Sequence, residues 1–107
     1  MGSPVARGDG IDTVLSDTGS GVGCPDPLTT ETDECSEDVK VNGTGVVRKD
    51  DNVALHNKTL CVTESPALST YSATVKANGK NIGRSGDDYN GDGANVITSG
   101  SGNVNAG

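Results

Sequence analysis

The chain has no tryptophan, no phenylalanine, two tyrosines, one methionine and one histidine in 107 residues. A surface that stacks on sugar rings or bases needs aromatic faces, and only Tyr71 and Tyr89 could supply one. Large aliphatics are scarce as well, at twelve Val, five Leu and three Ile, so any core is thin and Val-rich. No run approaches the roughly twenty apolar residues of a membrane-spanning helix. The first residues hold no apolar signal-peptide core, which argues against Sec-type export. Eight Lys and Arg against fifteen Asp and Glu leave a net charge of −7, and scattered basic residues under that balance argue against nucleic acid. No Ser-His-Asp arrangement is present, and the carboxylates lack apolar neighbours that would tune one for acid–base work. The expectation is a protein that is not an enzyme.

What the chain does have is glycine, sixteen residues of it, and repetition. A Gly-rich acidic composition alone would suggest disorder. Instead, Ser36-Glu37-Asp38-Val39-Lys40-Val41-Asn42-Gly43 and Ser72-Ala73-Thr74-Val75-Lys76-Ala77-Asn78-Gly79 share the pattern S-x-x-V-x-[VA]-N-G, and Ser101 to Gly107 repeats most of it. An Arg-x-x-Asp element follows twice, as Arg48 to Asp51 and Arg84 to Asp87. A third, one residue shorter, stands near the N-terminus as Arg7-Gly8-Asp9. The repeat is circular, its last copy split between the two ends. One domain over 1–107 follows, all-β, with a strand near Val104 pairing to one near Pro4 and the body closing with threefold pseudosymmetry. Asn42-Gly43 and Asn78-Gly79 between alternating apolar residues predict hairpins, because a type I′ turn needs positive φ at both central positions. Two unrelated hairpins are the alternative, and the ordered recurrence of Ser, Val, Gly and Arg weighs against it.

Three polar connections separate the repeats, over about 10–35, 52–70 and 88–100, and a threefold body would bring them together at one end. The softer metal donors all lie in the first two: Cys24, Cys35, His56 and Cys61. A Cys3His set is a common tetrahedral zinc shell. A Cys24–Cys35 disulfide and buried inert thiols are the alternatives, the first disfavoured by an odd cysteine count without an export signal. Asp88-Tyr89-Asn90-Gly91-Asp92-Gly93 opens like a calcium loop, but Ser99 stands where the closing Glu belongs, so a turn of Asx and Gly residues explains it better. Arg7-Gly8-Asp9 matches an adhesion tripeptide but coincides with the repeat. The glycosylation sequons at Asn42 and Asn57 carry little weight without export.

Pro4-Val5-Ala6-Arg7-Gly8-Asp9 resembles the proline-alanine-alanine-arginine signature of the PAAR-repeat proteins. The two V-x-[VA]-N-G…R-x-x-D units and the tail Asn95 to Gly107 resemble the rest of that family's repeat, so the likeness spans nearly the whole chain. It implies a small cone of short antiparallel strands whose base caps a trimeric β-helical central spike, one monomer per trimer. It also implies a metal near the apex, zinc with iron as the alternative, and His56 and Cys61 stand where the family places ligands. The family usually offers several His and one Cys, so Cys24 and Cys35 are included for their chemistry and not by motif. The setting implied is the tip of a contractile tail baseplate in a virion made in the bacterial cytoplasm, in transient contact with the host envelope. A sequence ending at Gly107 favours a phage tail over a type VI secretion tip without effector. A small glycan- or receptor-binding module is the reading from another class.

Overall fold

The computed structural model describes residues 2–17, 28–57, 63–89 and 94–107. Among them there is no helix, and the chain is all-β. Strands β1 (Ser3–Pro4), β2 (Thr13–Asp17), β3 (Leu28–Glu31), β4 (Lys40–Val41), β5 (Thr44–Gly45), β6 (His56–Asn57), β7 (Thr63–Glu64), β8 (Lys76–Ala77), β9 (Lys80–Asn81), β10 (Ala94–Ile97) and β11 (Asn105–Ala106) form one three-stranded sheet, β10-β2-β3, and four two-stranded ladders.

Three of the ladders come from the repeat. β4 pairs with β5 and β8 with β9 across Asn42-Gly43 and Asn78-Gly79. Their φ values are +53 and +84 in one turn, +56 and +78 in the other, as a type I′ connection demands. The third ladder joins the two ends of the chain. Ser3 lies opposite Ala106 and Pro4 opposite Asn105, and Val5 N donates to Val104 O at 2.9 Å.

After β1, β5 and β9 the chain runs through a short central segment: Val5-Ala6-Arg7, Val46-Val47-Arg48 and Ile82-Gly83-Arg84. These segments bridge one another as Arg7 to Val46, Arg48 to Ile82 and Val5 to Arg84. Their middle residues close a ring of backbone hydrogen bonds, Ala6 N to Gly83 O (3.0 Å), Gly83 N to Val47 O (2.8 Å) and Val47 N to Ala6 O (3.1 Å). Each buried amide therefore finds its acceptor in the next segment.

Successive side chains on an extended segment point to opposite faces, so the ring separates two apolar layers. Val5, Val46 and Ile82 pack with Ala77, Ala106 and Val41 on one side. Ala6 and Val47 pack with Val14, Val53, Leu68, Tyr89 and Ile97 on the other. Gly83 leaves room for Leu68 there, since a β-carbon would lie 2.9 Å from Leu68 Cδ2 and that side chain would have to shift.

Each central arginine is held by a carboxylate through its Nε, Nη2 and main-chain N. Arg48 grips Asp51 and Arg84 grips Asp87, with Nε contacts of 3.0 and 2.9 Å. In the N-terminal copy the carboxylate partner is not Asp9 of the Arg7-Gly8-Asp9 element read from sequence. Arg7 binds Asp12, with Nε to Oδ2 at 3.0 Å and Nη2 to Oδ1 at 2.9 Å, whereas Asp9 is exposed. Asp9 and Gly10 occupy a turn at φ +55 and +78 closed by Ile11 N to Gly8 O, which delays the carboxylate to Asp12. The expected connections also prove to contain strands: β2 and β3 in the first, β6 and β7 in the second and β10 in the third.

Candidate functional site

Two places combine exposure or buried polarity with arrangement. One is the hairpin end. Val39, Val75 and Val104 occupy the same position in the three repeats, and each remains 38 % exposed. Each is fixed by its carbonyl, which accepts from Val46 N, Ile82 N and Val5 N respectively. The preceding serines hold the bend: Ser36, Ser72 and Ser101 Oγ each accept from the amide three residues on, at 2.9, 3.0 and 3.0 Å. Beside them, β4, β8 and β11 each have a single ladder partner among the described strands. A strand with one partner presents unpaired N–H and C=O groups along its other side, a template for strand addition.

The other place is the β6–β7 hairpin, where register sets His56 opposite Glu64. His56 is 7 % exposed. Its Nδ1 lies 2.8 Å from Ala54 O, and a carbonyl can only accept, so that nitrogen carries the proton. Nε2 then faces Glu64 Oε2 at 3.2 Å. Asn95 Nδ2 donates to the same Oε2 at 3.4 Å. Ser16 lies opposite Asn95 in the β2–β10 ladder, and both are fully buried. Ser16 Oγ and Asn95 Oδ1 have no hydrogen-bond partner among the described residues.

Of the four metal donors expected from sequence, Cys24 and Cys61 lie outside the described residues. Cys35 carries a free thiol. It is wedged beneath two glycines, since a β-carbon at Gly8 or Gly45 would lie 2.8 or 2.9 Å from its sulfur. Burial, with Asp9, Asp51 and Asp33 nearby, pushes that thiol up despite Arg48, which opposes the thiolate that binds metal. Cys35 and His56 share no hydrogen-bond partner among the described residues, and no three His, Cys, Asp or Glu side chains converge there.

Asn90 to Gly93 of the calcium-like motif also lie outside the described residues. Asp88 Oδ1 accepts from Asn95 N at 2.9 Å. Tyr89 is fully buried, and Tyr71 is half-buried with Lys49 Nζ 5.7 Å from its ring centroid. Neither described tyrosine is a fully exposed stacking platform. Glu64, Asn95 and Ser16 were not anticipated; reading 52–70 as a hairpin would have set Glu64 across from His56. The chain matches no protein-family model and no curated protein.

Proposed function

We propose that this chain is a PAAR-like spike tip, a small cone with threefold pseudosymmetry that caps the trimeric β-helical central spike of a contractile tail baseplate. The observation that carries the reading is the ring joining Ala6, Val47 and Gly83, each amide bonded to the next segment's carbonyl. Around it recur three two-stranded ladders, three arginine–carboxylate pairs and three equally exposed valines. A single chain built this way offers three similar edges to three equivalent strand ends. The hairpin end would be the base, continuing the spike's sheets through β4, β8 and β11 and covering its apolar rim with Val39, Val75 and Val104. The opposite end would meet the envelope when the sheath contracts. There a bound metal would further stiffen the connections beyond their apolar layer, because binding energy becomes folding energy. The role is structural, with force carried from the spike through the ring to the tip.

Mixing the chain with trimeric β-helical spike proteins of contractile baseplates and measuring complex mass by light scattering tests the reading. One chain per trimer is expected. Three chains per trimer, or no complex together with binding to cell-surface glycans, would replace it with a side-binding or adhesive role.

A further inference from the structure

We propose that Asn42 is a site of spontaneous deamidation, a covalent change that opens the joint closing the repeat circle, and that its counterpart Asn78 is protected. The inference is independent of the spike-tip reading. Asn42-Gly43 and Asn78-Gly79 form the same turn in two repeats, exposed and at positive φ throughout. Glycine leaves the amide after each asparagine open to attack. Nothing lies within 4 Å of where a β-carbon would stand on Gly43 or Gly79, and neither glycine nitrogen donates a hydrogen bond among the described residues. In the reaction the Gly43 nitrogen bonds to Asn42 Cγ and gives up its proton, the Cγ–Nδ2 bond breaks, and Nδ2 leaves as ammonia. Water then opens the cyclic imide at one of its carbonyls, to aspartate or to isoaspartate. Water is the one co-reactant, and no oxidant or reductant takes part.

The two turns differ in how firmly each carboxamide is held. Asn78 Oδ1 accepts from Ser36 Oγ at 2.6 Å and from Arg48 Nη1 at 3.0 Å, while its Nδ2 donates to Asp38 Oδ1 at 2.8 Å. Arg48 is itself gripped by Asp51, so it cannot follow the carboxamide as it swings. Asn78 Cγ therefore reaches Gly79 N only by leaving charged partners on both sides. Asn42 has neutral partners alone: Oδ1 accepts from Ser101 Oγ, and Nδ2 donates to Asn103 Oδ1 at 3.0 Å. Hydrogen bonds to charged groups are the stronger kind, so folding should slow Asn78 about tenfold or more relative to Asn42. The product disturbs the joint in either form. A carboxylate at position 42 has no hydrogen to donate to Asn103 Oδ1, and isoaspartate adds a main-chain atom to a turn built for two residues.

Full-length wild-type protein, incubated in mildly alkaline buffer and sampled by peptide mapping with mass spectrometry, tests this without any variant. Cleavage after Lys and Arg puts Asn42, Asn78 and Asn90, which lies outside the described residues, in separate peptides. In the folded chain Asn42 should convert to aspartate and isoaspartate about tenfold or more faster than Asn78, and in urea the two rates should converge. Loss at Asn78 as fast as at Asn42 in the folded chain would overturn the proposal. So would an Asn42 that stays intact when folded yet converts in urea, since the turn itself would then be the protection. Asp38→Ala, at an exposed position, should speed conversion at Asn78 and leave Asn42 unchanged. An unaltered rate at Asn78 in that variant would mean that the side-chain partners do not set the difference. Converted protein, separated by the extra negative charge, should unfold at lower urea than intact protein; equal midpoints would overturn the claim that the change opens the joint.

Discussion

Ser101 Oγ donates to Asn42 Oδ1 across 2.7 Å, joining residues 59 apart in the chain. Asn42 is the first turn residue between β4 and β5, and Ser101 begins the bend that leads to β11. The same joint recurs where Ser36 Oγ donates to Asn78 Oδ1 at 2.6 Å, and where Ser72 Oγ donates to the main-chain oxygen of Gly107. Each turn is thus latched to the neighbouring repeat. Ser101 is buried and also accepts from Val104 N, so Ser101→Ala should cost roughly 1–3 kcal/mol. Asn42→Ala should cost about 1 kcal/mol, and a double-mutant cycle in urea should find the pair coupled by about 0.5–1.5 kcal/mol. Strict additivity would mean that the latch is decorative.

Asp50 stands in a conformation that its counterpart in the next repeat leaves to glycine. Asp50 lies at φ +73 in the turn closed by Asp51 N to Arg48 O, and its counterpart is Gly86 at φ +95, closed by Asp87 N to Arg84 O. A side chain disfavours this left-handed region, although Asp tolerates it better than most. Asp50→Gly should therefore stabilise by up to about 1 kcal/mol, and Gly86→Ala should destabilise by about the same amount. Thermal unfolding of the two variants is the check. A loss of stability in Asp50→Gly would show that the extra freedom given to the unfolded chain outweighs the relieved strain.

Acid should weaken the joint at Arg7. Burial alone would push the Asp12 carboxyl up, but the Arg7 guanidinium and main-chain amide, the Ser99 hydroxyl and the Arg7 charge outweigh it and hold Asp12 below the usual carboxylate range. A group with a lower pKa folded than unfolded stabilises fully above its unfolded value, near 4, and loses that contribution as pH falls through the folded value. Asp12→Asn should cost roughly 2 kcal/mol at pH 7. That is less than the roughly 3–5 kcal/mol of a fully buried pair, since the Arg7 side chain keeps 20 % exposure. Its urea midpoint should then fall less steeply than wild type below pH 4. Parallel acid curves would assign the acid sensitivity to other carboxylates.

Arg7 also marks the boundary of what the residues alone disclosed. Asn-Gly turns, alternation around Val39 and Val75 and the split repeat were legible because each is a local pattern with a backbone cause. Asp12 was hidden because two inserted residues, Asp9 and Gly10, make a turn that spacing alone does not announce. Strands β2, β3 and β10 were hidden because Thr13 to Asp17 and Leu28 to Glu31 are short and carry Ser, Thr and acidic residues, and Ala94 to Ile97 is only a four-residue run. Their pairing across the chain, Val14 with Ile97 and Thr30, is what makes them strands. The His56–Glu64 contact is likewise a matter of hairpin register, invisible while 52–70 reads as a loop.

The three valines at the hairpin end give the sharpest functional prediction. Val39, Val75 and Val104 are equally exposed, so an Asp at any one of them adds a charge at the surface and should change stability by less than about 1 kcal/mol. On a trimeric spike each valine would meet an equivalent strand end, and burying an unpaired carboxylate there is costly. Val39→Asp, Val75→Asp and Val104→Asp should therefore each weaken spike binding at least tenfold, by similar factors, while melting temperatures stay within a few degrees of wild type. Similar losses at all three positions are what a base seated on a threefold partner requires. A large loss at one position with none at the others would mean a lopsided contact, and three unaffected variants would move the interface away from this end of the molecule.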